Sequence, residues 1–127
     1  MTSQPNEFVR YCCELLSTVG PCVARRMFGG YSLSTDGLTL AILADLGFGE
    51  KLWLKTNQET TPAFESAGCE RFTYLVQGKS KSMSYYCVPD EAMESAQEMA
   101  SWARLALQAA LAARQSKNKR RKDAIST

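Results

Sequence analysis

Leu38-Thr39-Leu40-Ala41-Ile42-Leu43-Ala44 is the stretch that decides the fold. In an extended chain Leu38, Leu40, Ile42 and Ala44 share one face, and Thr39, Ala41 and Leu43 share the other. A strand that is apolar on both faces belongs in the middle of a sheet, covered on both sides. Upstream, Ser34-Thr35-Asp36-Gly37 is a hairpin signal, because Asp-Gly suits a tight two-residue turn. Before it, Arg25 to Leu33 reads as one strand. Its Gly29-Gly30 pair predicts a bulge or a close backbone approach. Downstream, Asp45 to Glu50 is a turn, and Lys51-Leu52-Trp53-Leu54-Lys55 alternates as a third strand.

The pattern continues outward. Thr60-Thr61-Pro62 opens a short helix to about Ala67, and Gly68 ends it. Phe72 to Val76 is strand four, residues 77–82 are a polar hairpin, and Met83 to Val88 is strand five. Phe8, Tyr11, Cys12, Leu15, Leu16 and Val19 recur at helical spacing and form one apolar stripe, stopped by Gly20-Pro21. Asp90 caps a long helix that runs to about Arg114, with Met99, Trp102, Ala103, Ala106 and Ala110 on one side. The expectation is a two-layer α+β domain over residues 1–113. It has an antiparallel five-stranded sheet in the order α-β-β-β-α-β-β-α, with helices mainly on one face. Residues 114–127 lack apolar periodicity and read as a disordered basic tail.

Composition narrows the chemistry. The 127 residues suffice for one core without disulfides or metals. Histidine is absent, which removes the usual general base and the commonest metal ligand. Cys12, Cys13, Cys22, Cys69 and Cys87 show no metal-ligand spacing, so the expectation is no metal, no cofactor and no enzyme activity. The N-terminus carries no signal-peptide pattern and no apolar run is long enough for a membrane, so the thiols are expected to be reduced in a cytoplasmic protein. The net charge of +2 is uneven. Residues 114–127 hold six basic and one acidic side chain, which leaves −3 on residues 1–113. Lys117, Lys119, Arg120, Arg121 and Lys122 in that tail are the candidate weak contact to nucleic acid.

Several stretches in order resemble the N-terminal domain of the TfoX/Sxy family. They are Arg25-Arg26-Met27-Phe28-Gly29-Gly30-Tyr31, Leu52-Trp53-Leu54-Lys55, Pro62 with Phe64 and Ala67-Gly68, Phe72-Thr73-Tyr74 with Met83-Ser84-Tyr85-Tyr86, and Trp102-Ala103-Arg104. The resemblance covers roughly residues 5–113. It implies an α+β fold and a part in regulating natural competence and DNA uptake. Longer relatives carry a second, C-terminal domain where this chain has its basic segment.

The expected function is a non-catalytic regulatory or adaptor domain that acts by protein contact. Its candidate partners are the transcription machinery and a second copy of the chain. The candidate surface is Arg25, Arg26, Phe28, Gly29, Gly30, Tyr31, Lys79, Lys81 and Tyr85. Adjacent strand residues point to opposite faces, so Arg25 and Arg26 separate. Lys79 and Lys81, with Tyr74, Tyr85 and Tyr86 near them, form a candidate basic-aromatic surface. Two alternatives stand beside this reading. One is a DNA-binding module using the tail with Arg25/Arg26 or Lys79/Lys81. The other is a small anionic ligand held beside Gly29-Gly30. The alanine stripe around Trp102 is a further place where a partner helix could dock.

Overall fold

The computed structural model describes residues 7–27, 29–46 and 49–125, with side chains as far as residue 115. Helix α1 spans Glu7–Leu15. Strands β1 (Val23–Met27), β2 (Gly30–Thr35), β3 (Leu38–Asp45) and β4 (Glu50–Lys55) follow, then α2 (Thr61–Ser66), β5 (Arg71–Val76), β6 (Lys79–Tyr86) and α3 (Ala96–Ile125). The strands form one antiparallel sheet in the order β1-β2-β3-β4-β6-β5. The architecture is the expected α+β, with β3 in the interior of the sheet.

The sheet has six strands, one more than expected. The run from Arg25 to Leu33 is a hairpin, not one bulged strand. Met27 pairs with Gly30, and Gly29 takes φ +82°. That left-handed value is open to glycine at little cost, so the chain reverses there. A register shift does occur nearby, between Leu33 and Ser34 on the β2–β3 ladder. The Asp36-Gly37 turn forms as expected, both residues having positive φ. Strand β6 starts at Lys79, because Gln77-Gly78 alone completes the last hairpin.

The helix ends also differ from expectation. The α1 helix stops at Leu15, and Ser17–Val19 follow as a 3-10 turn. Asp90–Glu94 is likewise a 3-10 turn, so α3 begins at Ala96 and not at Asp90. Ser95 caps it: its Oγ accepts the Glu98 amide at 3.1 Å. Ser95-Ala96-Gln97-Glu98 has the spacing of a capping box. The α3 backbone continues as helix to Ile125, past the expected end at Arg114. Residues 114–125 contain neither Gly nor Pro and are rich in Lys and Arg, so local propensity does not break the helix there.

The main core lies between one face of the sheet and the helices. Val9, Cys12 and Leu15 of α1, Phe64 of α2, and Met99, Ala103, Ala106 and Ala110 of α3 pack on Leu33, Leu43, Leu52 and Leu54. The α3 alanines let that helix lie close on β3 and β4. The stripe around Trp102 therefore serves the chain's own sheet. Asn57 organises the entry to α2: its Oδ1 accepts the Glu59 and Thr60 amides at 3.0 and 2.9 Å, while Thr60 Oγ1 accepts the Asn57 amide at 2.9 Å.

The opposite face carries a second, smaller cluster of Ile42, Trp53, Phe72 and Cys87, bordered by Ala44, Leu46, Tyr74 and Tyr85. No residue of α1, α2 or α3 belongs to it. The central strand is thus apolar on two sides, but Leu38 and Leu40 do not share a face with Ile42 and Ala44 as strict alternation predicts: the register shift against β2 turns them into the helix-side core, and the helices cover only that face.

Candidate functional site

The face without helices is concave. Met27, Gly29 and Gly30 from the first hairpin, Ile42 and Ala44 from β3, and Phe72, Tyr74, Met83 and Tyr85 from β5 and β6 all line one groove of about 810 Å³. In a flat sheet β1 and β6 would stand about 19 Å apart, four strand spacings. Their shared groove requires strong curvature. The ladder between β5 and β6 shifts between Arg71 and Thr73, and such irregularities bend and twist a strand pair. In addition, β6 pairs with β4 only through Leu54–Tyr86 and Lys55–Tyr85 among the described residues. The distal part of the β5–β6 hairpin is therefore a free arm that walls the groove.

Paired residues on neighbouring strands share a face, so the register places the charged side chains. Arg25 lies across from Ser32, Lys55 across from Tyr85, and Lys81 across from Tyr74. Ser32, Tyr85 and Tyr74 all line the groove. Lys79, two residues before Lys81, lies across from Val76 and points the same way. The one ion pair within 4 Å among the described residues is Lys51–Glu70 at 3.9 Å, so these four cations stand uncommitted around an apolar hollow. The groove's own carboxylate, Asp45, accepts the Gly49 amide at 3.0 Å.

Of the candidate residues from sequence, Arg25, Gly29, Gly30, Lys79, Lys81 and Tyr85 are on or beside this face. Arg26 is not. It pairs with Tyr31 on the helix side, with its guanidinium 6.0 Å from that ring's centroid, and Tyr31 packs against the main core. Tyr86 also leaves the proposed basic-aromatic surface. It is buried on the helix side, and its hydroxyl donates to Glu65 Oε2 at 2.9 Å. Phe28 and the side chains of Lys117, Lys119, Arg120, Arg121 and Lys122 lie outside the described residues. Sequence reading does not single out Met27, Ile42, Phe72 or Met83. They come from four strands, and only the curvature brings them together.

The ring of Trp53 lies under this face, edge-on to Phe72 at 5.1 Å, with the Lys51 ammonium 5.3 Å from its centroid. Its Nε1 is buried without an acceptor among the described residues, a deficit that costs about 1–3 kcal/mol.

The thiols are structural. Burial pushes Cys12 and Cys22 up to about 12 and Cys69 up to about 11, so each stays protonated and a poor nucleophile near neutrality. This has a consequence for stability. The unfolded chain releases these protons from about pH 9, while the folded chain holds them, so alkali favours unfolding. The contribution is complete below pH 9 and is lost between pH 9 and about 12. For buried Cys12 the slope approaches ~1.4 kcal/mol per pH unit. Urea midpoints should fall between pH 8 and pH 10, and fall less in Cys12→Ala. Equal slopes in the two proteins would contradict this assignment.

The fold is that of a small α+β domain with a helix-free, mainly apolar groove on one face, and comparison with known proteins supplies the family. A family model of the TfoX N-terminal domain matches residues 14–110, and the chain belongs to that family. Protein Sxy of Escherichia coli is 28% identical over 107 residues, which covers 84% of this chain and 49% of Sxy. The chain thus spans about half the length of that relative. Among the described residues, no helix is long and apolar enough to cross a membrane.

Proposed function

We propose that the chain is a non-catalytic regulatory domain that acts by protein contact in the control of competence, and that the contact is made on the helix-free face of the sheet. The observation that carries this reading is the groove itself. Its floor, Ile42 and Phe72, is buried, while Met27 and Met83 are exposed and Tyr74 and Tyr85 half-buried around it, on the face that α1, α2 and α3 leave open among the described residues. A concave, mainly apolar hollow with a few polar groups at its edge is the usual form of a binding site. Met27 and Met83 at its edges are 38% and 40% exposed, and flexible thioethers adapt to a partner's shape. Membership of the TfoX N-terminal domain family supports the regulatory setting.

The test is a reporter driven by a competence-gene promoter in the native host. Deleting the gene should lower the reporter severalfold, and the whole chain should restore it. A variant with Met27→Asp and Met83→Asp, both exposed at the groove's edges, should accumulate normally, keep its unfolding midpoint and fail to restore. An indifferent reporter in the deletion strain would end the regulatory reading. Full restoration by the double variant would end the assignment of the contact to this face.

A further inference from the structure

The chain's helices cover one face of the sheet and leave the other open, and the chemistry of the open face selects its occupant. This inference rests on the regulatory reading above and names the kind of partner. We infer that the groove docks an amphipathic helix of another protein, with an apolar side for the floor and acidic residues for the rim.

The groove is walled on two opposite sides, by the first hairpin and by the β5–β6 arm, the shape that receives a single rod-like element. The floor is aliphatic at Ile42 and Ala44, and its walls are Met27 on one side and Tyr74, Met83 and Tyr85 on the other. This surface matches apolar side chains at helical spacing, the usual way a helix anchors in a groove.

Charge decides among the possible occupants. Arg25, Lys55, Lys79 and Lys81 flank the hollow without ion-pair partners among the described residues, and Lys51 is shared with Glu70. A second copy meeting this face through a two-fold axis would set the four cations of one chain against the same four of the other. The chain's own termini do not match either. Residues 1–6 carry no acidic side chain, and residues 114–127 carry six basic ones against Asp123. Nucleic acid would satisfy the cations, but a basic track is the larger part of such a site. Here the hollow is mainly apolar, and its one lining carboxylate, Asp45, already accepts the Gly49 amide. An acidic amphipathic helix satisfies both the hollow and its rim.

The test uses the full chain and a fluorescein-labelled Leu/Ala/Glu amphipathic peptide of about 16 residues. Its helix of ~24 Å matches the ~26 Å of the eight-residue β3. Binding is read by fluorescence anisotropy. The Glu peptide should bind at least ~tenfold more tightly than the same peptide with Lys for Glu. The double variant Arg25→Glu, Lys81→Glu should reverse that preference while keeping the wild-type unfolding midpoint. Four results would each overturn the inference: no binding of the Glu peptide, equal affinity for both peptides, tighter binding of a single-stranded oligothymidine, or a dimer in sedimentation that the double variant dissolves. A reporter that responds to deletion while the peptide fails to bind would leave the regulatory reading standing and remove this inference alone.

Discussion

Replacing Gly30 by alanine should destabilise the domain by about 3 kcal/mol or more, while the same change at Gly29 should cost about 1 kcal/mol. The two glycines are adjacent in sequence and differ in what surrounds them. A Cβ on Gly30 would stand 2.1 Å from the Leu43 carbonyl oxygen and 3.2 Å from its carbon. These are backbone atoms of the neighbouring central strand, and they cannot rotate away as a side chain would. To admit one methyl group, β2 and β3 must separate at the point where Tyr31 pairs with Leu43. At Gly29 a Cβ meets nothing within 4 Å, and the cost is only that of a left-handed φ for an L-residue. Urea denaturation of both variants should rank them in that order. Equal losses would show that the approach of the two strands does not make Gly30 necessary.

Phe64→Ala should cost about 3–5 kcal/mol, the range for deleting a fully buried aromatic ring. Phe64 is 0% exposed. Its centroid lies 4.9 Å from the Trp102 ring of α3 and 5.8 Å from the Tyr86 ring of β6. A six-residue helix has little stability of its own, so α2 is held by this one inserted side chain. The void would also remove Tyr86's neighbour at one of the two residue pairs that join β6 to β4. A domain of this size has about 5–15 kcal/mol in total, so the variant should unfold near or below ordinary growth temperature. Phe64→Leu keeps most of the volume and should cost less than about half as much. A Phe64→Ala midpoint within error of wild type would mean that α2 and α3 do not meet through this ring.

Much of this fold is legible in residue order. The doubly apolar run Leu38 to Ala44 places the central strand, Asp36-Gly37 places a hairpin, and period two separates Arg25 from Arg26. The misses have physical causes. Gly29-Gly30 fits a bulge and a turn equally well by composition, and the difference is whether Met27 pairs back to Gly30. Ser95 with Glu98 has the spacing of a capping box, but Asp90, which follows Pro89 and precedes Glu91, is the more conspicuous start signal. The groove was only partly legible. Its basic and tyrosine members, Arg25, Lys79, Lys81 and Tyr85, stand out by type. Ile42, Phe72 and Met83 look like ordinary core; Ile42 and Phe72 are indeed buried, and they come to floor a groove, with Met83 exposed at its edge, only because the helices take one face of the sheet and the register shift at Arg71/Thr73 bends the last hairpin over the other.

The apolar second face of β3 thus changes in meaning. By pattern it predicts cover on both sides, and the chain provides helices for one. In the proposed complex a partner helix provides the other. The most direct measurement is an amide chemical-shift map of the isotope-labelled full chain titrated with the acidic amphipathic peptide. Shifts are expected at Ser32, Ile42, Ala44, Tyr74, Lys81 and Tyr85, with α1 and the buried side of α3 unmoved. Shifts confined to the helices or to the basic residues after Gln115, with β3 and β6 silent, would contradict it.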